Sequence, residues 1–213
     1  MRALPLLLLV SGCLPLPFAV PPAEVSASVG ARVAGAAPPP TNWAGVGTDA
    51  DTVVRAGLYP AGWNPDWMER PIDLGAGYVA EFGPSGAFTH GGYGEFRFHP
   101  WVQERYDTNG PGAWRVVLHL TGDVLYSPVV GTGGGGSVGV SFEGASFVDG
   151  DVSQANADGG LIAVAYGEVS YAAGLDFSYR YLPGYSWFGL QVRFRFRMPA
   201  AAGVLLVPIW EFL

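Results

Sequence analysis

Arg193, Arg195 and Arg197 recur at every second position near the end of the chain. A guanidinium stays charged at any ordinary pH and binds a carboxylate through two parallel N–H donors. Three of them side by side therefore need carboxylates opposite, or water around them. Carboxylates with the same alternating placement occur elsewhere: Glu95, Asp123, Glu143, Glu168 and Asp176, with Arg97, Arg115 and Arg180 adding positive charge. Six arginines against five carboxylates make a nearly balanced set, able to pair as a charge network inside a narrow lumen or to stand as a solvated face. Pairs such as Glu143 and Glu168 also resemble what acid–base chemistry uses, but any charged strand face supplies such pairs. His99 and His119 share the polar faces with Glu95 and Asp123, yet the close ligand spacings His-x-His and His-Glu-x-x-His do not occur. No catalytic, cofactor-binding or metal-ligating residue is assigned, and the expectation is a protein that is not an enzyme and carries no cofactor.

The elements that must hold these residues are strands. From 168 to 182 the chain alternates without a break, Val169, Tyr171, Leu175, Phe177, Tyr179 and Tyr181 against Glu168, Ser170, Asp176, Ser178 and Arg180. Period two means one apolar and one polar face. Pro183-Gly184 turns the chain, and 188–198 answers with Phe188, Leu190, Val192, Phe194 and Phe196 against the arginines, which predicts an antiparallel hairpin. Similar runs cover 72–82, 93–102, 114–126 and 137–148. Weaker strands are expected at 52–59 and 204–212, and 26–33 is a further short candidate. Loops are expected at 103–112, 127–136 and 149–160, and a turn at 199–203. The Gly run at 133–136 lacks the Lys-Ser/Thr and the helix of a phosphate loop. Trp63-Asn64-Pro65-Asp66-Trp67 reads as a turn with aromatic shoulders, either a stacking platform for a flat ligand or a plug at a sheet edge. The predicted fold is all-β: an antiparallel up-and-down meander of about eight strands, closed or nearly closed into a barrel.

Composition sets bounds. The 213 residues are 49% hydrophobic and 14% aromatic but only 14% charged, with 32 Gly and 18 Pro, which suits strands and turns. All 11 basic residues are arginine, and the net charge of −7 leaves no basic patch for nucleic acid.

At the start, Met1-Arg2 and the apolar run 4–10 read as an export signal, too short to span a bilayer as a helix. Val10-Ser11-Gly12-Cys13 follows, and here the chain resembles the lipobox of bacterial lipoproteins. The resemblance implies that Cys13 carries lipid and becomes the first mature residue, and Leu14 in place of Asp favours the outer membrane. The alternative is an ordinary signal peptide cleaved later, with Cys13 discarded. The organisation expected is a signal peptide at 1–12, a Pro/Ala-rich tether at 13–40 and one β domain at 41–213.

Residues 72–213 also resemble small eight-stranded outer-membrane β-barrels in strand length and in alternation. That implies apolar faces toward lipid and the charge network inside, so that membrane lipid meets Cys13 and the barrel exterior alike. The chain departs from such barrels in ending Phe212-Leu213 rather than on the aromatic, in a last strand apolar on both faces, and in the lipobox itself. A tethered soluble β domain with its aromatic rows as core, binding a small apolar or carbohydrate ligand, is the competing reading.

Overall fold

The computed structural model describes residues 13–35, 47–63, 71–83, 88–107, 110–156 and 159–208. They form β1 (Cys13–Val20), β2 (Ala23–Gly35), β3 (Gly47–Leu58), a 3₁₀ turn (Pro60–Trp63), β4 (Ile72–Phe82), β5 (Phe88–Asp107), β6 (Gly110–Ser127), β7 (Gly131–Asn156), β8 (Gly159–Leu182), β9 (Tyr185–Met198) and β10 (Ala200–Pro208).

Each strand from β2 to β9 pairs antiparallel with the next, and β9 pairs back onto β2, so these eight close a ring. Following the pairings once round, from Ala23 through Leu58, Ala76, Gly94, Gly122, Gly136, Tyr179 and Phe188, returns to β2 at Val33, ten residues along. That stagger tilts the strands by about 35–45° and leaves an interior that side chains alone can fill. β1 pairs with β10, and β10 pairs with the first part of β8. β1 keeps the register that β2 has against β9, so β1 and β2 are one long strand interrupted at Pro21-Pro22. β9 and β10 are likewise one strand interrupted at Pro199, where the partner register on β8 slips by one residue. Gly167, at φ 126°, absorbs that slip on β8 in a conformation that L side chains rarely adopt. The far ends of β7 and β8, with β10 and β1, thus extend the wall beyond the ring at the end that carries the termini.

Five sequence expectations are corrected here. Residues 13–35 of the supposed tether are strands, because Glu24, Ser26 and Ser28 alternate with Val25, Ala27 and Val29 and fill the gap between β3 and β9; residues 36–40 lie outside the described residues. The loop expected at 149–160 is mostly hairpin, with β7 running to Asn156 and β8 starting at Gly159. The loop at 103–112 is likewise ladder on β5 and β6 up to Asp107 and from Gly110, with 108–109 outside the described residues. The Gly-rich end of the loop at 127–136 is the start of β7. The turn at 199–203 is strand from Ala200 onward, in the β10 that runs Ala200–Pro208, and residues 209–212 of the expected last strand lie outside the described residues. In each case backbone hydrogen bonds to at least one neighbouring strand hold the segment, whatever contrast its side chains show.

The alternation resolves which way the faces point. Inward positions are buried and mostly polar, while outward ones are mostly apolar and exposed, as with Leu120 at 59% and Val124 at 65%. The reading in which the aromatic rows form a soluble core is therefore not the arrangement the chain adopts.

Candidate functional site: the ionic interior and its two ends

Seven arginines (Arg55, Arg97, Arg115, Arg180, Arg193, Arg195 and Arg197) are buried inside the ring, and Arg32 projects into one end of it. Nine carboxylates face them: Glu24, Asp51, Asp73, Glu81, Glu95, Asp123, Glu143, Glu168 and Asp176. All eleven residues named from the spacing are among these, brought together from β5, β6, β7, β8 and β9. The interior adds Glu24 from β2, Asp51 and Arg55 from β3, and Asp73 and Glu81 from β4.

Toward the termini, Arg97 donates from Nη1 to Glu24 Oε2 at 2.6 Å and from Nη2 to Glu24 Oε1, while its Nε donates to Glu95 Oε1 at 2.5 Å. Arg197 donates to Asp73 at 2.5 Å and to Glu168 at 3.2 Å. Arg115 bridges Glu143 and Glu168. Tyr59, just after β3, is fully buried, with the guanidinium of Arg97 4.0 Å and that of Arg197 4.9 Å from its ring centre, a cation–π arrangement. Gly75 makes room for it, since a Cβ there would stand 2.1 Å from the ring.

Midway, Arg193 donates to Glu95 at 2.6 Å, and Arg195 donates to Ser141 at 2.5 Å and Glu143 at 3.3 Å. His119 Nε2 meets Asp176 Oδ1 at 2.6 Å, in space that Gly139 leaves open. His119 has therefore found a carboxylate partner across the lumen, and among the described residues no group of three or more His, Cys, Asp or Glu is placed to hold a metal. Beyond this layer Arg180 pairs with Asp123 at 2.9 Å, and Gln191 donates to Asp51 at 2.8 Å. An apolar cluster of Val53, Val79, Tyr93, Leu125, Leu182 and Trp187 then fills the barrel at the end of the β6–β7 and β8–β9 turns. A cavity of about 540 Å³ opens above it.

Gly135-Gly136-Ser137-Val138-Gly139 fits the Gly-x-Ser-x-Gly spacing that sequence reading passed over. Ser137 is buried within β7, near its start, and not on a strand-to-helix turn, so it forms no nucleophile elbow. Of the segment Trp63-Asn64-Pro65-Asp66-Trp67, Trp63 closes the 3₁₀ turn and the rest lies outside the described residues.

Outside, ring contacts gather aromatic residues in two bands, with Phe96 exposed between them beside Leu120. Trp101, Trp114, Phe142 and Tyr171 cluster toward the termini, with Trp114 and Phe142 stacked at 5.2 Å. Phe82, Phe88, His90 and Tyr126 cluster toward the turns, joined by Tyr179 and Phe188. Between Trp114 and Tyr126 on β6, at ~3.4 Å per residue and a tilt of ~40°, the bands stand about 30 Å apart along the barrel axis. The outward positions between them on β6 are Val116, Leu118, Leu120, Gly122 and Val124.

The fold and its contents define an eight-stranded, inside-out β-barrel with an ionic interior. No family model matches the chain, and no curated protein matches it. The chain is similar to the solved structure of Neisserial surface protein A (NspA), at 14% identity over 82% of this chain and 96% of that one, with a TM-score of 0.34. The barrel assignment itself rests on the strand pairing.

Proposed function

We propose that this chain is a structural or interaction barrel of the outer membrane of a diderm bacterium, without catalytic activity. The observation that carries the reading is the exterior: outward side chains form an apolar zone between two aromatic bands about 30 Å apart, close to the ~25 Å zone flanked by aromatic girdles in outer-membrane barrels. In water, exposing this many Leu, Val and Phe side chains is costly, at roughly 25 cal/mol per Å²; in lipid it is not. The packed interior argues against a wide pore, and Glu143 and Glu168, the pair weighed for acid–base chemistry, are both bonded to Arg115. The working surfaces are then the two ends. The test is gel mobility in SDS before and after boiling. A closed barrel migrates differently until heated; identical mobility in both lanes would reject the bilayer-spanning reading.

Cys13 as a lipid carrier belongs to the same proposal. β1 places Cys13 seven residues beyond Val20, or about 23 Å of extended chain, on the wall extension beyond the Trp101–Trp114 band. A lipid there enters the bilayer only if β1 leaves β10, and Pro21-Pro22, between β1 and β2, supplies the break. The expected mature N-terminus by mass spectrometry is a lipid-modified Cys13. A first residue anywhere after Cys13 overturns this part.

A further inference from the structure

We propose that the mouth of the barrel at the turn end is a binding site for a small, uncharged, apolar molecule of one or two rings. The cavity there, about 540 Å³, lies within the range of small-molecule sites, which are lined mainly by apolar and aromatic side chains. Most of the surface this cavity offers is apolar. Leu182 and Trp187, members of the cluster that fills the barrel, form its floor. Phe88 stands in its wall, and Pro128, Val129 and Tyr185, at the β6–β7 and β8–β9 turns, form its rim. The charged residues of the lining, Arg32 and Glu81, are only 13% and 2% exposed and stand 3.8 Å from each other.

The rim is apolar in a place that lipid does not explain. Val129 is 89% exposed and Tyr185 is 57% exposed. Val129 lies past Tyr126, and Tyr185 lies nearer its turn than the Tyr179–Phe188 contact, so both stand beyond the aromatic band. That end faces water whether or not the outer wall meets a bilayer, and the inference therefore stands apart from the outer-membrane reading. The rim is also held in place. The Val129 N–H donates to Ser127 Oγ at 3.3 Å, and Val130 packs against the cluster below. An apolar rim above an apolar floor, open to water, is the kind of surface that marks a ligand site.

The test uses the full chain in phosphatidylcholine nanodiscs, or in detergent-free buffer if the chain proves soluble, so that failure of the outer-membrane reading does not decide the result. 4-Fluorotoluene is titrated with fluorine saturation-transfer NMR as readout, and empty nanodiscs correct for its partition into lipid. Saturable binding with a Kd of about 0.1–1 mM is expected. Val129→Ser and Tyr185→Ser, which remove apolar area from the rim, each weaken it about fivefold or more. Leu120→Ser, on the outer wall, leaves it unchanged. 4-Fluorobenzoate and 4-fluorobenzylammonium, of similar shape but charged, bind about tenfold or more weakly, since burying a charge against an apolar surface is costly. Both rim residues are exposed, so their replacement spares the fold, and circular dichroism checks that each variant keeps its β signal. No saturable binding beyond that of empty nanodiscs, binding unchanged in the folded rim variants or lost equally in Leu120→Ser, or a charged analogue binding as tightly as 4-fluorotoluene overturns the proposal.

Discussion

Arg97→Ala lowers the unfolding free energy by about 3–5 kcal/mol in a urea titration of the refolded protein, the cost of leaving a buried partner charge behind. Arg97 donates both Nη groups to Glu24 and its Nε to Glu95, and its guanidinium lies over Tyr59. Once it is gone, Glu95 keeps Arg193, but Glu24 keeps only Arg197, at 3.5 Å. Glu24 stands on β2, the strand that closes the ring against β9, so the orphaned charge weakens the closure itself. Arg195→Ala is the milder change, at about 1–3 kcal/mol. Glu143 retains Arg115, Glu95 retains Arg97 and Arg193, and Ser141 alone loses its donor. The ordering matters as much as the size. A loss below about 1 kcal/mol for Arg97→Ala is what a solvated pair gives, and it would show that water reaches this layer. Glu24→Ala combined with Arg97→Ala is expected to cost less than the sum of the two single changes, because the double variant buries no lone charge.

The residues that make this network differ in how plainly the sequence announces them. Those on β8 and β9 are legible at once: Glu168, Asp176, Arg180, Arg193, Arg195 and Arg197 alternate with Tyr, Phe, Leu and Val, and the contrast in polarity fixes both the strand and the face. Glu24 is not legible in the same way. Its neighbours are Ala, Ser, Val and Pro, small or uncharged, and the sequence around it has the composition of a tether. The signal was present as Glu24, Ser26 and Ser28 at alternate positions, but three short side chains make little contrast with Val25, Ala27 and Val29. Asp73 and Glu81 stand on a recognised strand; Arg55 stands on a weak one, interrupted by small residues. Tyr59 inverts the rule altogether: it is an aromatic residue inside an ionic interior, there because its ring faces two guanidiniums and Gly75 vacates the space. No single-sequence pattern reports that, since the contact joins the end of β3 to β4, β5 and β9. The Gly run at the start of β7 was hidden for the opposite reason. It has no side chains to show a period, and only its pairing with β6 and β8 makes it strand.

Leu120→Arg separates lipid from water at the barrel exterior, and the expected cost in liposomes is about 2–4 kcal/mol. Leu120 is 59% exposed on β6, between Trp114 and Tyr126, and pairs across the strands with Phe96 and Val138, themselves outward and exposed. In water the same change at so open a position falls within about ±0.5 kcal/mol, because it removes little buried area and leaves a charge well solvated. In a bilayer the guanidinium sits near the midplane and must snorkel or drag water with it. Val129→Arg is the internal comparison. Val129 is 89% exposed in the turn after β6, past the Tyr126 band, and its replacement is expected to cost no more than about 0.5 kcal/mol in liposomes. Val116→Arg, close to the Trp114 band, should fall between the two, since the penalty declines toward either interface. A depth profile peaking at Leu120 is what a membrane-spanning barrel requires. Equal costs at Leu120 and Val129 would mean that the apolar exterior is covered by something other than lipid.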